Sequence, residues 1–325
     1  MSQQTDDARR AEAIPRTRLR WWTELPLIIL VYGAYSAGRL LARGDVAQAV
    51  DHGLSILRAE KAVHLNLEHP LNRLFTREPW LGVPADFWYA SLHYVVTPAV
   101  LIWLFRRRAH LYRAARTWLM TSTMIGLIGF TLLPTCPPRL LSAGHGFVDT
   151  MAQYSSYGWW GGAASAPKGM GGMTNQYAAM PSLHVGWALW CGIMLWRNGR
   201  SPWVKAAGVA YPLITTLVVM GTANHYFFDA LAGVAVMGVG FLLTKPVMRV
   251  AARIRNRVNA AFAGGAVGST GGSTGGSTVV PSATPSSIVS GGCQTSPGER
   301  IPGQRKASAP SPSRDSGDGA ATPAR

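Results

Sequence analysis

The sequence predicts an all-α, polytopic membrane protein: a six-helix transmembrane bundle with an interfacial helix at its outer face and a disordered C-terminal tail. Three observations support this fold class. Apolar segments long enough to cross a bilayer recur through the first 250 residues. Clusters of basic residues occur at alternate ends of these segments. From about residue 264 the chain becomes GGSTGGSTGGST and then Ser, Pro, Gly and Arg, a composition that buries too little apolar surface to offset the entropy of ordering.

These features divide the chain into three parts. We expect a basic cytoplasmic N-terminus over residues 1–21, a membrane domain over 22–250, and a cytoplasmic tail over 251–325 that is first basic and then low in complexity. The mean hydropathy of +0.11 understates the membrane character, because both polar ends dilute the average. Residues 1–20 contain several arginines and no apolar run, so we predict no cleavable signal peptide.

Six segments are candidate transmembrane helices, since a bilayer core needs roughly 20 apolar residues per helix. The fourth segment is short, and the sixth begins with polar residues. In chain order the segments are 23–42, 84–105, 115–134, 181–197, 203–222 and 226–245.

The basic clusters predict the orientation of these helices. They lie at 16–20, 106–116, 197–205 and 245–257, which are alternate ends of consecutive spans. The positive-inside rule therefore places both termini in the cytoplasm and the loop 135–180 outside a cell membrane. The net charge of +16 could also indicate nucleic acid, but charge beside apolar spans is typical of contact with membrane lipids. We expect no nucleic-acid partner.

The outward segment 43–83 is amphipathic. Small and aliphatic residues recur at helical spacing from Val46 to Leu57, with polar residues such as Asp51 and Glu60 between them. This pattern predicts an interfacial helix that lies on the outer leaflet.

Ionisable residues at the ends of spans are costly and indicate function. His225 and Asp229 are four residues apart at the outer start of span 6, which would place them on one helical face. A carboxylate there can accept the Nδ1–H of the imidazole and leave Nε2 with its lone pair. Such an imidazole is a competent nucleophile for phosphorus and would form a phosphohistidine.

The segment PSLH, residues 181–184, begins span 4 on the same membrane face. Pro181 suits the first turn of a helix, whose free N–H groups form an anion site together with the Ser182 hydroxyl. His184 could protonate a departing oxygen as a general acid. Arg139, in the outward sequence CPPRLL, is the best cationic candidate for binding phosphate.

These segments resemble a known family. AMPSLHVGWA (179–188) and NHYFFDALAG (224–233) are similar to the second and third signature motifs of the PAP2 superfamily of lipid phosphatases and phosphotransferases. The resemblance covers about 20–250 and implies His225 as nucleophile, Asp229 as its orienting partner and His184 as acid/base. It also implies a lipid-linked phosphoester as substrate, with no cofactor and no metal required.

Within the superfamily the similarity is greatest to the Aur1-like branch, which includes inositol phosphorylceramide synthases. That branch carries an outward PPR, here ending at Arg139, and a Tyr/His pair on an earlier span, here Tyr89 with His93 as a possible pocket. The plain phosphatase pattern places a Lys, a Pro and an Arg where this chain has Leu132, Leu140 and Val219. We therefore favour head-group transfer over hydrolysis.

Several other interpretations stay open. His225 and Asp229 could be a satisfied buried pair, and Tyr89 with His93 could form only a structural hydrogen bond. A metal site built from the three histidines and Asp229 is conceivable, although the motif contexts speak against it. A non-catalytic scaffold or transporter is the alternative of another class, and vanadate-dependent oxidation is a third.

Overall fold

The computed structural model describes residues 21–41, 45–160 and 175–267. The predictions for the basic N-terminus up to residue 20 and for the low-complexity sequence from residue 268 onward lie outside the described residues.

The described residues form helices joined by short turns. Helix α4 continues through a five-residue π-helical turn, Trp88–Leu92, directly into α5. The helices are α1 Trp21–Leu41, α2 Val46–Ala62, α3 Glu68–Arg77, α4 Pro79–Phe87, α5 His93–Arg107, α6 Ala109–Leu132, α7 Thr150–Gln153, α8 Leu183–Asn198, α9 Pro202–Gly221 and α10 Phe227–Val267. Over these ranges there is no β-strand, only an isolated bridge between Thr135 and Ala178, so the all-α prediction is confirmed.

Three of the described helices are long and apolar enough to cross a membrane. They are the continuous run Pro79–Arg107, helix α9, and the section Phe227–Ala261 of α10. The other three predicted spans also form helices, α1, α6 and α8, but within the described ranges they do not meet both criteria. Helix α8 has only 16 residues. Three helices could therefore cross a membrane, as expected for a membrane protein, and the six-span bundle and its orientation stay predictions.

Tryptophans connect the helices through hydrogen bonds to neighbouring helices. The indole N–H of Trp190 on α8 donates to the carbonyl of Ala115 on α6 at 3.1 Å, and that of Trp118 donates to the carbonyl of Met237 on α10 at 2.7 Å. Trp187 donates to Thr123 Oγ1 at 3.0 Å. Each bond satisfies a polar group where water is scarce and fixes the register of one helix against another.

Glycines allow α8 to approach its neighbours closely. A Cβ added at Gly233 of α10 would lie 2.2 Å from the Ser182 carbonyl oxygen, and one at Gly192 of α8 would lie 2.3 Å from the Gly208 carbonyl oxygen of α9. Small residues of this kind let helix backbones pack directly against one another. The contact at Gly233 joins the starts of α8 and α10, where both predicted motifs lie.

Helix α2 packs its apolar face against protein, and its contact with the outer leaflet stays a prediction. Its buried face contains Ala49, Gly53 and Leu57, and a Cβ on Gly53 would lie 2.6 Å from the carbonyl oxygen of Cys136. The Cys136 N–H also donates to the Ala49 carbonyl at 2.9 Å. The same face contains Glu60, which the sequence pattern had placed among the polar residues but which is fully buried.

Helix α10 is 41 residues long and continues well past the predicted end of the last span at residue 245. From Lys245 onward it carries a series of basic residues, Lys245, Arg249, Arg253, Arg255 and Arg257. The NHYFFDALAG motif and this basic section therefore occupy different parts of one long helix.

Candidate active site

His225 lies in the turn before α10, because that helix begins at Phe227. The prediction that His225 and Asp229 share a helical face is therefore wrong in detail, although the turn still brings them together. The His225 Nδ1 is 3.5 Å from Asp229 Oδ2 and only 2.8 Å from the carbonyl oxygen of Ala179. The nearest acceptor is thus a backbone carbonyl that the sequence did not indicate.

This contact determines the tautomer of His225. A carbonyl oxygen can only accept, so Nδ1 carries the hydrogen and Nε2 of the neutral ring carries the lone pair. The Nε2 atom is buried and has no hydrogen-bond partner. An oriented, unoccupied ring nitrogen of this kind can act as a nucleophile.

Asp229 is held in place from two sides. Its Oδ2 accepts the Tyr226 N–H at 2.9 Å, and its backbone carbonyl accepts the Ser182 N–H at 2.9 Å. The carboxylate is fully buried beside His225. It can therefore stabilise positive charge on the imidazole by through-space attraction, although Ala179 provides the shorter hydrogen bond.

The PSLH segment differs from its prediction in one respect. Helix α8 begins at Leu183, so Pro181 precedes the N-cap instead of occupying the first turn. Ser182 is the N-cap, and its hydroxyl accepts the Val185 N–H at 3.5 Å. The Ser182 N–H already donates to Asp229, so it is not available to an anion. The Ser182 hydroxyl can still donate its own hydrogen, and its contact with phosphate stays a prediction.

The π-helical turn brings Tyr89 and His93 to His184. The Tyr89 ring stacks on the His184 imidazole with centroids 4.4 Å apart, and His93 meets the same ring edge-on at 4.5 Å. The centroids of His184 and His225 are 5.8 Å apart. Residues from three separate parts of the sequence therefore converge. Single π-turns inside α-helices are frequent at functional sites.

Beside this cluster lies a small cavity of about 10 Å³, lined by residues that include Tyr89, His93 and His184. A volume of this size corresponds to one water molecule.

Arg139 is buried next to the turn that carries His225. Its Nε donates to Asn224 Oδ1 at 2.9 Å, and its Nη1 donates to Asp149 Oδ2 at 2.8 Å. The structure places Arg139 beside the turn that carries His225 but also pairs it with Asp149. Asp149 could not be predicted, because the loop 135–180 has no periodic sequence pattern.

Two buried glutamates near Asp229 were also missed. Glu60 Oε1 accepts the Phe228 N–H at the start of α10 at 2.6 Å, and Glu68 on α3 is its neighbour. Burial is the main cause that raises the pKa of both carboxyls above the ordinary glutamate value, and the negative charge of Asp229 raises both further. The helical spacing of Ala49, Gly53, Leu57 and Glu60 was the available signal for the buried position of Glu60.

Within residues 21–41, 45–160 and 175–267, no three His, Cys, Asp or Glu side chains are grouped as ligands of a metal ion would be. The four residues of the conceivable metal site instead form ring stacks and the hydrogen bonds described above.

The profile of the PAP2 superfamily matches residues 54–243, which is more than half of the chain. The chain belongs to the PAP2 superfamily. Members of the PAP2 superfamily are phosphatases and phosphotransferases, and the matched range contains both motifs and every residue of the cluster described above. No curated protein and no solved structure shows significant similarity to the chain. The family match does not distinguish the Aur1-like branch from other branches.

Proposed function

We propose that this PAP2 protein is a membrane lipid phosphotransferase or phosphatase that acts on a lipid-linked phosphoester at the extracytoplasmic face through a phosphohistidine. The observation that carries the proposal is the state of His225. Its Nδ1–H is bound by the Ala179 carbonyl at 2.8 Å, and its buried Nε2 has no partner. A histidine with a purely structural role would be expected to use both nitrogens, since buried polar atoms are rarely left unpaired.

In the first step His225 Nε2 attacks phosphorus. The P–N bond forms, the P–O bond to the leaving alcohol breaks, and protonated His184 gives its proton to the departing oxygen. The carboxylate of Asp229 stabilises the positive charge that develops on the His225 ring. The ring centroids of the two histidines are 5.8 Å apart, so the proposed proton donor lies close to the proposed nucleophile.

In the second step an incoming hydroxyl attacks the phosphohistidine. His184, now neutral, accepts the hydroxyl proton, the new P–O bond forms, and the electrons of the P–N bond return to His225. Arg139 and Ser182 are proposed to bind the equatorial phosphate oxygens, because phosphoryl transfer depends mainly on positioning and charge stabilisation. Tyr89 and His93 hold the His184 ring and border the place where the acceptor would bind.

The identity of the acceptor separates two activities. The plain phosphatase pattern has a Lys, a Pro and an Arg at the positions of Leu132, Leu140 and Val219. The absence of these residues favours Aur1-like transfer to a lipid or polyol hydroxyl. The water-sized cavity beside His184 favours the second candidate, hydrolysis with water as acceptor. A scaffold or transporter has no need of an unpartnered, buried Nε2 on a ring close to a second histidine.

The test is an assay of the purified protein in proteoliposomes with lipids labelled in the phosphate, with and without polyol acceptors. Parent protein is compared with His225→Ala and with His110→Ala, a matched control at an exposed position of α6. We expect His225→Ala to lose activity by more than ~10³-fold, because removing a nucleophile removes the covalent route. His110→Ala should behave as the parent does.

Label found in free phosphate identifies a phosphatase, and label found in a new lipid identifies a transferase. Label trapped on the parent protein after rapid quenching, stable to alkali and lost in acid, identifies the phosphohistidine. Equal activity of parent and His225→Ala would contradict the mechanism, and no turnover by the parent across the panel would support the non-catalytic alternative.

A further inference from the structure

The buried carboxyl of Glu60 contacts the helix that carries the catalytic carboxylate. Glu60 is fully buried on α2, and its Oε1 accepts the Phe228 N–H at 2.6 Å. That N–H is one of the first-turn donors of α10 that have no partner within the helix. Glu60 therefore caps α10 from an element 168 residues away in the sequence, one residue before Asp229.

Glu68 on α3 is the acidic neighbour of Glu60. It is also fully buried, and no hydrogen bond satisfies either of its carboxyl oxygens. The second oxygen of Glu60 and one oxygen of Asp229 are buried without partners as well. Four orphaned acidic oxygens in one region are a large electrostatic cost unless protons neutralise part of the charge.

The groups that face this pair come from every neighbouring element. Asp229 contributes from α10, Lys61 from α2 at the side of Glu68, and Tyr226 from the turn before α10. The Tyr226 hydroxyl already donates to the Cys136 carbonyl at 3.0 Å. Lys61 is exposed and therefore screened by solvent, so it cannot neutralise the pair.

We propose that Glu60 and Glu68 are a proton-sharing positioning pair: together they hold one proton and carry a single negative charge, and Glu60 caps the start of α10 next to Asp229, the carboxylate beside His225. This inference rests on the proposed function, because it assigns the pair its role through Asp229 and His225. With the proton in place, Glu60 Oε1 keeps the Phe228 N–H and the turn before α10 keeps its shape. Loss of the proton would set two adjacent anions against Asp229 and push the start of α10 away from Ala179.

The test uses Glu60→Gln, Glu60→Leu and Glu68→Gln, with Asp51→Asn as the matched control on the exposed side of α2. Glutamine keeps an acceptor for the Phe228 N–H but cannot ionise. We therefore expect Glu60→Gln to retain kcat near neutral pH, and its fall in kcat at alkaline pH to move to higher pH or vanish. Glu68→Gln should move the alkaline fall in the same direction.

Glu60→Leu removes the cap. It should lower kcat about 10- to 100-fold and leave KM within about twofold of the parental value, because a small displacement of a catalytic group greatly lowers the rate of the chemical step. Rescue by glutamine but not by leucine separates positioning from simple filling of space. Parental kcat in Glu60→Leu, or an unchanged alkaline fall in both glutamine variants, would overturn the proposal.

Infrared spectroscopy tests the shared proton directly. It does not require enzymatic activity or a folded Glu60→Leu variant. A protonated carboxyl has a carbonyl stretch distinct from that of a carboxylate. We expect a protonated-carboxyl band at neutral pH in the parent that is diminished in Glu60→Gln and Glu68→Gln and retained in Asp51→Asn. No difference between the parent and both glutamine variants would refute the shared proton, whereas a full-activity His225→Ala would refute the proposed function and leave the band in place.

Discussion

At the scale of single residues, the site depends on which atom binds His225 Nδ1. The motif identified the histidine and the carboxylate correctly as neighbours, but it could not show that the Ala179 carbonyl is closer, at 2.8 Å against 3.5 Å for Asp229. Side-chain pairs can be read from sequence spacing, whereas a backbone acceptor contributes no residue type to recognise. Asp149 and its ion pair with Arg139 were missed for a related reason. The residues of an irregular loop follow no periodic pattern from which side-chain contacts could be predicted.

Ala179 orients the His225 ring and Asp229 supplies the negative charge beside it, so Asp229→Asn tests the charge separately. Asparagine can still accept the Tyr226 N–H, and Ala179 still orients the imidazole, so the fold and the tautomer should persist. The negative charge beside the developing imidazolium is lost. We expect kcat to fall about 10- to 100-fold with KM little changed, measured by steady-state kinetics on the labelled lipid. Asp51→Asn is the control, and a parental kcat in Asp229→Asn would show that Ala179 alone suffices.

At the scale of helices, the starts of α8 and α10 are brought together by a glycine contact. The sequence predicted both helices and the side of the membrane on which their motifs meet, yet the residue that permits the approach, Gly233, was not singled out. The close contact involves the Ser182 carbonyl oxygen, and only a three-dimensional arrangement reveals it. Likewise α2 was predicted as amphipathic, but its apolar face could have met lipid or protein equally well.

Gly233→Ala should therefore disturb the site. A Cβ there would lie 2.2 Å from the Ser182 carbonyl oxygen, so α8 and α10 must separate. We expect a loss of about 1–3 kcal/mol of stability, typical of overpacking, together with lower kcat. Gly238→Ala is the control on the same helix, because a Cβ at Gly238 meets nothing within 4 Å and alanine favours helix. Thermal unfolding in detergent would decide, and equal midpoints for the two variants would rule out the steric argument.

At the scale of the whole molecule, composition and charge were sufficient to predict an all-α membrane protein, and three helices have the required length and apolarity. The count of six spans was harder to derive, because α8 is apolar but has only 16 residues, fewer than the roughly 20 that a bilayer core requires. Much of this helix is buried against other helices, and such packing leaves no mark in hydropathy that distinguishes it from contact with lipid.

The buried acidic pair predicts how the stability of the whole protein depends on pH. The pKa values of Glu60 and Glu68 are raised in the folded protein, mainly by burial. Below the ordinary value of 4.5 both carboxyls are protonated whether the chain is folded or unfolded, so their contribution is fully present. As the pH rises above that value the unfolded chain releases protons that the folded protein retains, and stability falls until the raised pKa values are passed.

The unfolding midpoint in detergent should accordingly decline as the pH rises above 4.5, and Glu68→Gln should flatten this decline. Asp51→Asn, with its exposed carboxyl, should leave the slope unchanged. A slope in Glu68→Gln equal to that of the parent would mean that the pair is not the source of the pH dependence.

Helix α10 is longer than the hydrocarbon layer of a membrane is thick. Its 41 residues extend for about 60 Å at 1.5 Å per residue, whereas the hydrocarbon layer is only about 30 Å thick. In the proposed orientation its first turn lies at the extracytoplasmic side, so roughly half of the helix would extend past the acyl chains on the cytoplasmic side. The arginines of this half, from Arg249 to Arg257, would then lie at the level of the lipid phosphates and beyond it.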